Sequence, residues 1–68
     1  MVEFEIIKHI GKIGKRGEWD LELNRVCWNG GLAKIDIRAW NHDHTKCSKG
    51  VTLTDEEAYN LREVLEKI

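Results

Sequence analysis

The run Lys34-Ile35-Asp36-Ile37-Arg38-Ala39-Trp40 alternates in type, so a strand over it puts Lys34, Asp36, Arg38 and Trp40 on one side and the isoleucines on the other. A second indole, Trp28, stands just before the turn signal Asn29-Gly30-Gly31. Flat rings interleaved with cations can stack unpaired bases and neutralise phosphates, which is the equipment of a single-strand binder largely indifferent to sequence. Each stacked base contributes about 1–3 kcal/mol, so two or three matter more than overall charge. Further cations are candidates for phosphate contact: Lys46 and Lys49 after the run, and Lys12, Lys15, Arg16 and Arg25 before it. Arg38 has a competing structural role as a cross-strand partner of Glu22, and Asp36 is expected to orient a neighbouring Lys or Arg rather than touch a polyanion.

Cys27, His42, His44 and Cys47 form the other constellation with chemistry in it. Imidazole and thiolate are zinc ligands, and His-x-His-x-x-Cys is compact enough for one ion. The paired Cys-x-x-Cys knuckle is missing, however, and the ordinary reading is a polar loop turned by Asp43. No metal and no cofactor is expected. His42, Asp43 and Cys47 also contain the residue types of a nucleophile, base and orienter, but all three lie on one short loop with no pocket-forming partner, so an enzyme is not expected. A third class, an adaptor that binds protein through an exposed Trp-rich sheet face, shares the same residues, since aromatics and Arg also mark protein hot spots.

The elements that must position these groups are four strands and a helix. A first strand runs from Val2 to Lys12, with Phe4, Ile6 and Ile10 on one side and Ile7 and His9 on the other, and enters a turn at GKIGKRG. Gly14-Lys15-Arg16-Gly17 imitates the GXXG clamp of KH domains, but strands flank it where that clamp has helices, so it reads as a basic hairpin tip. The second strand, Trp19 to Trp28, switches parity between Leu21 and Leu23 and Val26 and Trp28, which predicts a bulge or twist near Asn24 and Arg25. NGG read as a three-residue loop then predicts a hairpin in which Trp28 faces Leu32, Val26 faces Lys34, Glu22 faces Arg38 and Asp20 faces Trp40. A third strand covers Leu32 to Trp40, and a fourth covers Lys49 to Leu53. Thr54 and Glu57 form a capping box that opens a helix, whose stripe Ala58, Leu61, Val64, Leu65 and Ile68 must be buried. The expected fold is α+β: a twisted four-stranded antiparallel sheet with one C-terminal helix packed on one side, β-β-β-β-α.

Sixty-eight residues are expected to form a single domain with a small core, and self-association is expected on that ground. Residues 1–53 carry nine Lys/Arg against seven Asp/Glu and residues 54–68 two against five, so the balance runs from +2 to −3 and an anionic partner meets the first part. No apolar run approaches the ~20 residues that cross a bilayer and no signal peptide is evident, which predicts a cytoplasmic protein with no membrane partner. Two cysteines make no disulfide framework. Trp19 is expected in the core or at a dimer contact.

KIDIRAW, a polar loop, and then KGVTLTDEEAYNLREVL resemble the single-stranded-DNA-binding domain of the transcriptional positive cofactor four family. The short length and the NGG hairpin are similar to its short bacterial, YdbC-like branch. The resemblance spans roughly residues 4–65. It implies a curved four-stranded sheet with one helix, homodimerised so that two grooves form a channel for single-stranded DNA, with no small-molecule substrate. The family's aromatic positions fall on Trp28 and Trp40, and its basic positions on Lys34, Arg38 and Lys49. One aromatic follows Arg38 where eukaryotic members carry an adjacent pair. A place in transcription regulation or DNA maintenance, and a preference for DNA over RNA, are likewise implied by the resemblance. The Ser- and Lys-rich tail of the eukaryotic coactivators has no counterpart, and coactivator function is not carried over.

Overall fold

The computed structural model describes residues 3–68. Its elements follow the hydrophobic periods: β1 (Phe4–Arg16), β2 (Trp19–Trp28), β3 (Ala33–Trp40) and β4 (Val51–Leu53) form one antiparallel sheet in the order β1-β2-β3-β4, and α1 (Asp55–Leu65) follows. Val2, expected to open the first strand, lies outside the described residues.

β1 overruns its expected end. The chain does not turn within GKIGK but continues to Arg16, and reverses at Gly17, whose φ of 65° suits a residue without Cβ. The ladder to β2 slips between Ile6 and Lys8, between His9 and Gly11, and between Lys12 and Gly14, so Ile7, Ile10 and Ile13 are each one residue too many. Thirteen residues of β1 thus span ten of β2, a surplus of three. Each slip resets the alternation. Phe4, Ile6, His9, Lys12 and Lys15 therefore share the face of Trp28, Val26, Asn24, Glu22 and Asp20, whereas strict alternation put Ile10 with Phe4 and His9 opposite. Of the bulge or twist expected in β2 near Asn24 and Arg25, the bulge does not occur. β2 and β3 pair without interruption from Asp20↔Trp40 to Cys27↔Ala33, and the parity switch in β2 reflects two faces that both carry apolar side chains.

The register expected from the NGG turn is the one observed for Val26↔Lys34, Glu22↔Arg38 and Asp20↔Trp40. Asn29 (φ 52°) and Gly30 (φ 73°) occupy the centre of a turn closed by Gly31 N–H donating to the Trp28 carbonyl at 2.9 Å, the mirror-image turn that matches strand twist. Leu32 lies beyond the ladder, so it does not pair with Trp28.

Trp28 lies eight residues along β2 from Asp20, the partner of Trp40, about 26 Å in a flat strand. Their ring centroids nevertheless approach to 6.2 Å, and Phe4 touches both at 5.7 and 5.0 Å. The sheet is therefore strongly curved around this face, as three bulges in one strand promote. Trp40 (1% exposed), Val26, Asn24 and Asp36 (each 0%) fill the concavity.

The convex face carries Leu21, Leu23, Ile35, Ile37 and Ala39, as expected, but α1 covers little of it. The helix starts as predicted: Thr54 N–H donates to Glu57 Oε1 at 2.8 Å and Glu57 N–H donates to Thr54 Oγ1 at 3.1 Å. Arg25 and Asp55, 3.1 Å apart, tie that end to β2. The apolar stripe, however, is not buried within the chain. Ala58 and Leu61 are half-buried, while Val64, Leu65 and Ile68 are exposed. Between helix and sheet runs an open groove of about 550 Å³ bordered by Ile10, Leu23, Ile35, Leu53, Leu61 and Leu65.

Candidate nucleic-acid interface

Curvature decides which of the two candidate indoles can meet a ligand. Trp40, expected on a bare sheet surface, is sealed beneath Phe4, Trp28 and the His44 ring, whose centroid lies 5.5 Å away. It offers no face to a base, so the expectation that it stacks directly is corrected. Trp28 is only half-buried, at the mouth of the concavity next to the turn. Phe4 completes the trio, and its signal in the sequence was its shared parity with Ile6.

Arg38 sits opposite Glu22 in the ladder but does not pair with it. Its Nε donates to Asp36 Oδ1 at 2.7 Å, and its guanidinium carbon lies 4.3 Å from the centroid of the Trp28 ring. A wholly buried carboxylate thus anchors the guanidinium against an indole, combining an ion pair with a cation–π contact. The expectation that Asp36 orients a cation holds. Lys34, two positions before Asp36 and on the same face, is exposed, and with Trp28, Gly31, Leu32 and Thr52 it borders a groove of about 360 Å³. Leu32, at 86% exposure, forms the outer wall.

The other cations divide. Lys46 and Lys49 are exposed, and among the described residues neither they nor Lys34 has a carboxylate within ion-pair distance. Gly50 explains how Lys49 is delivered: a Cβ there would fall on the Ile37 carbonyl and on Arg38 Cβ, so only glycine lets the chain cross this close to β3. Lys12 and Lys15 share the concave parity but are strand residues, not a flexible tip, and both ammonium groups lie 3.3 Å from Asp20 Oδ1. Burial pushes the Asp20 carboxyl up, yet the two lysines together outweigh it and hold it below the usual carboxylate range. Arg16 and Arg25 pair in register with Trp19 and Ile35, which puts them on the convex side, away from Trp28. The candidate cations therefore do not form one patch.

A polar chain that the sequence reading did not assemble lies beside the aromatic trio. His9 Nδ1–H donates to Asn24 Oδ1 at 2.7 Å, Asn24 Nδ2 donates to Glu22 Oε1 at 3.0 Å, and His44 Nε2–H donates to Glu22 Oε1 and Oε2 at 3.0 and 3.1 Å. Only the bulge that rephases His9 and the positive φ of His44 (59°) bring these together, and neither is visible in an alternation pattern.

The alternative zinc cluster is not formed. Cys27 lies at the turn end of the hairpin, opposite Ala33, where its thiol donates to the Gly31 carbonyl, whereas Cys47 bridges Trp40 at the other end. Among the described residues no group of three or more His, Cys, Asp or Glu could hold a metal ion. His42 is exposed, and Asp43 accepts from the Thr45 hydroxyl at 2.7 Å, a bond that holds its carboxyl below the usual range. No helix of the described residues is long and apolar enough to cross a membrane.

No family model matches the chain. An uncharacterized protein of Treponema pallidum (strain Nichols) is 44% identical over 63 residues, covering 91% of this chain and 74% of that protein, and the chain belongs to the same family.

Proposed function

We propose that the protein is a non-enzymatic binder of single-stranded nucleic acid, DNA in preference to RNA, largely indifferent to sequence and active as a homodimer. The observation that carries this reading is the Trp28–Arg38–Asp36 stack beside Lys34, at the open mouth of a curved sheet. A base stacks on the partly exposed indole and guanidinium pair, and Lys34 beside it takes a phosphate, whereas Lys49 borders the convex-side groove with Arg16, Leu21, Ile37 and Ala39. Trp40 and Phe4 hold Trp28 from beneath. Lys12 and Lys15 contribute only where a phosphate displaces them from Asp20. Preference for DNA, and a role in transcription regulation or DNA maintenance, rest on the resemblance of KIDIRAW and KGVTLTDEEAYNLREVL to the positive cofactor four family.

The homodimer has independent support in the convex face. Ile7, Ile10, Ile13, Val51, Val64 and Leu65 are each about half exposed or more, and Ile10 and Leu65 border the open apolar groove between helix and sheet. A second copy that covers it removes from water what one small chain leaves wet.

Titrating oligothymidylate, oligouridylate and a matched duplex while following tryptophan quenching tests the reading at two salt concentrations. Quenching by the thymidylate that weakens steeply with salt is the expected result, because bound phosphates release counterions. Salt-independent quenching, or equal affinity for the duplex, would reject it.

A further inference from the structure

We propose that Leu32 is a specificity-determining residue of the nucleic-acid site: a wedge that enters the step between the base stacked on Trp28 and its neighbour, so that weakly stacked strands bind best. This role rests on the single-strand-binding reading and adds to it the means by which stacked strands are rejected.

At 86% exposure Leu32 keeps its side chain in water, and it belongs neither to the β2–β3 ladder nor to the core. The backbone beneath it is nevertheless held on both sides. Asn29 N–H donates to the Glu3 carbonyl at 2.7 Å, and Glu3 N–H donates back to Asn29 Oδ1 at 3.0 Å. Gly31 N–H donates to the Trp28 carbonyl at 2.9 Å, and the Cys27 thiol donates to the Gly31 carbonyl, immediately before Leu32, at 2.7 Å. A fixed turn under an unburied apolar side chain is a preorganised contact: the ordering is done in the free protein, and the gain from burial is left for a ligand.

Two grooves meet at this side chain. One, of about 360 Å³, lies between Leu32 and Trp28, Gly31, Lys34 and Thr52; the other, of about 190 Å³, is bordered by Leu32, Ala33, Lys34, Thr54 and Asp55. Leu32 and Lys34 thus form the ridge between them. The first groove has an aromatic wall, one cation and no carboxylate, which suits a base and its phosphate. A base on Trp28 and the next base across the ridge cannot stack on each other while Leu32 stands between them, and leucine is one of the side chains that part base steps in this way. Thymidylate, whose bases stack weakly, gives up little. Adenylate gives up more, and a duplex gives up stacking on both strands. Trp28 and Lys34 alone carry no such discrimination, since every base has a π-face and every strand a phosphate.

The test is the affinity of the full chain for labelled oligothymidylate, oligoadenylate and a matched duplex, by fluorescence anisotropy. Wild type should bind thymidylate about three- to tenfold tighter than adenylate, and the duplex more weakly than either. Leu32 has no positive φ, so Leu32→Ala removes an exposed side chain without backbone strain and should leave the melting temperature unchanged. It should weaken thymidylate binding about three- to tenfold and leave adenylate binding nearly as it was, bringing the two oligomers level. Leu32→Met keeps a long apolar side chain and should retain the wild-type preference. Trp28→Ala should lower both affinities and keep their ratio. If Leu32→Ala lowers both affinities equally, or binds all three as wild type does, or if wild type binds thymidylate and adenylate alike, the wedge is overturned and the single-strand reading stands. Wild type that binds no oligothymidylate, or binds the duplex as well, overturns both.

Discussion

Trp28 and Trp40 have the same parity and the same chemistry, and the curvature of the sheet separates their roles. Trp28→Ala removes the partly exposed member, so oligonucleotide affinity should fall by about 1–3 kcal/mol, roughly five- to 150-fold, with the fold retained. Trp40→Ala instead opens a cavity under the aromatic trio and should cost about 3–5 kcal/mol of stability, read as a shift in denaturant midpoint. Equal effects of the two variants on binding at matched folded fraction would contradict this division. Asp20 provides a pH test at the same scale. Its folded carboxyl is held below the ordinary value of 3.8 by Lys12 and Lys15, so its contribution to stability is present above that value and is lost as pH falls through the lowered one. Asp20→Asn should therefore flatten the acid limb of a melting-temperature profile between neutral pH and the strongly acidic range.

Among the elements, the short connection into β4 and the helix start are the places where one atom matters. Gly50→Ala drives a methyl group into β3 backbone and should destabilise the protein, while also displacing Lys49; a melting temperature unchanged from wild type would show that β4 can shift to accommodate it. Thr54→Ala removes half of the capping box and should cost about 1 kcal/mol in a denaturation series. Alternation in KIDIRAW, the NGG turn and the Thr54–Glu57 pair were each readable because a local rule governs them, and together they yield the β2–β3 register and the helix start. β1 was not readable in this way. Isoleucine at every third position satisfies neither a period of two nor one of 3.6, and only pairing with β2 shows that each is a surplus residue. The misplacement of His9 and Ile10, and the unseen polar chain from His9 to His44, follow from that single irregularity. Burial of Trp40 was hidden for a related reason, since parity assigns a face but does not say how far the sheet bends.

For the molecule as a whole, the decisive quantity is apolar surface left wet by one chain. A helix with no buried residue and a convex face it covers little of suit a pair of chains, and the stripe predicted to be buried is buried only if a partner covers it. Leu65→Glu places a charge in that surface without touching the concave face. Sedimentation at micromolar concentration should show a dimer for wild type and a shift toward monomer for this variant, and a wild-type monomer at all concentrations would defeat the homodimer.

The outer edge of β1 has one more property. A long strand on the border of a sheet normally presents a regular row of free amides and carbonyls on which an unrelated chain can crystallise into fibril-like stacks. Falling out of step three times within thirteen residues, this border offers no stretch long enough to template such growth, so the device that bends the molecule also guards it against aggregation.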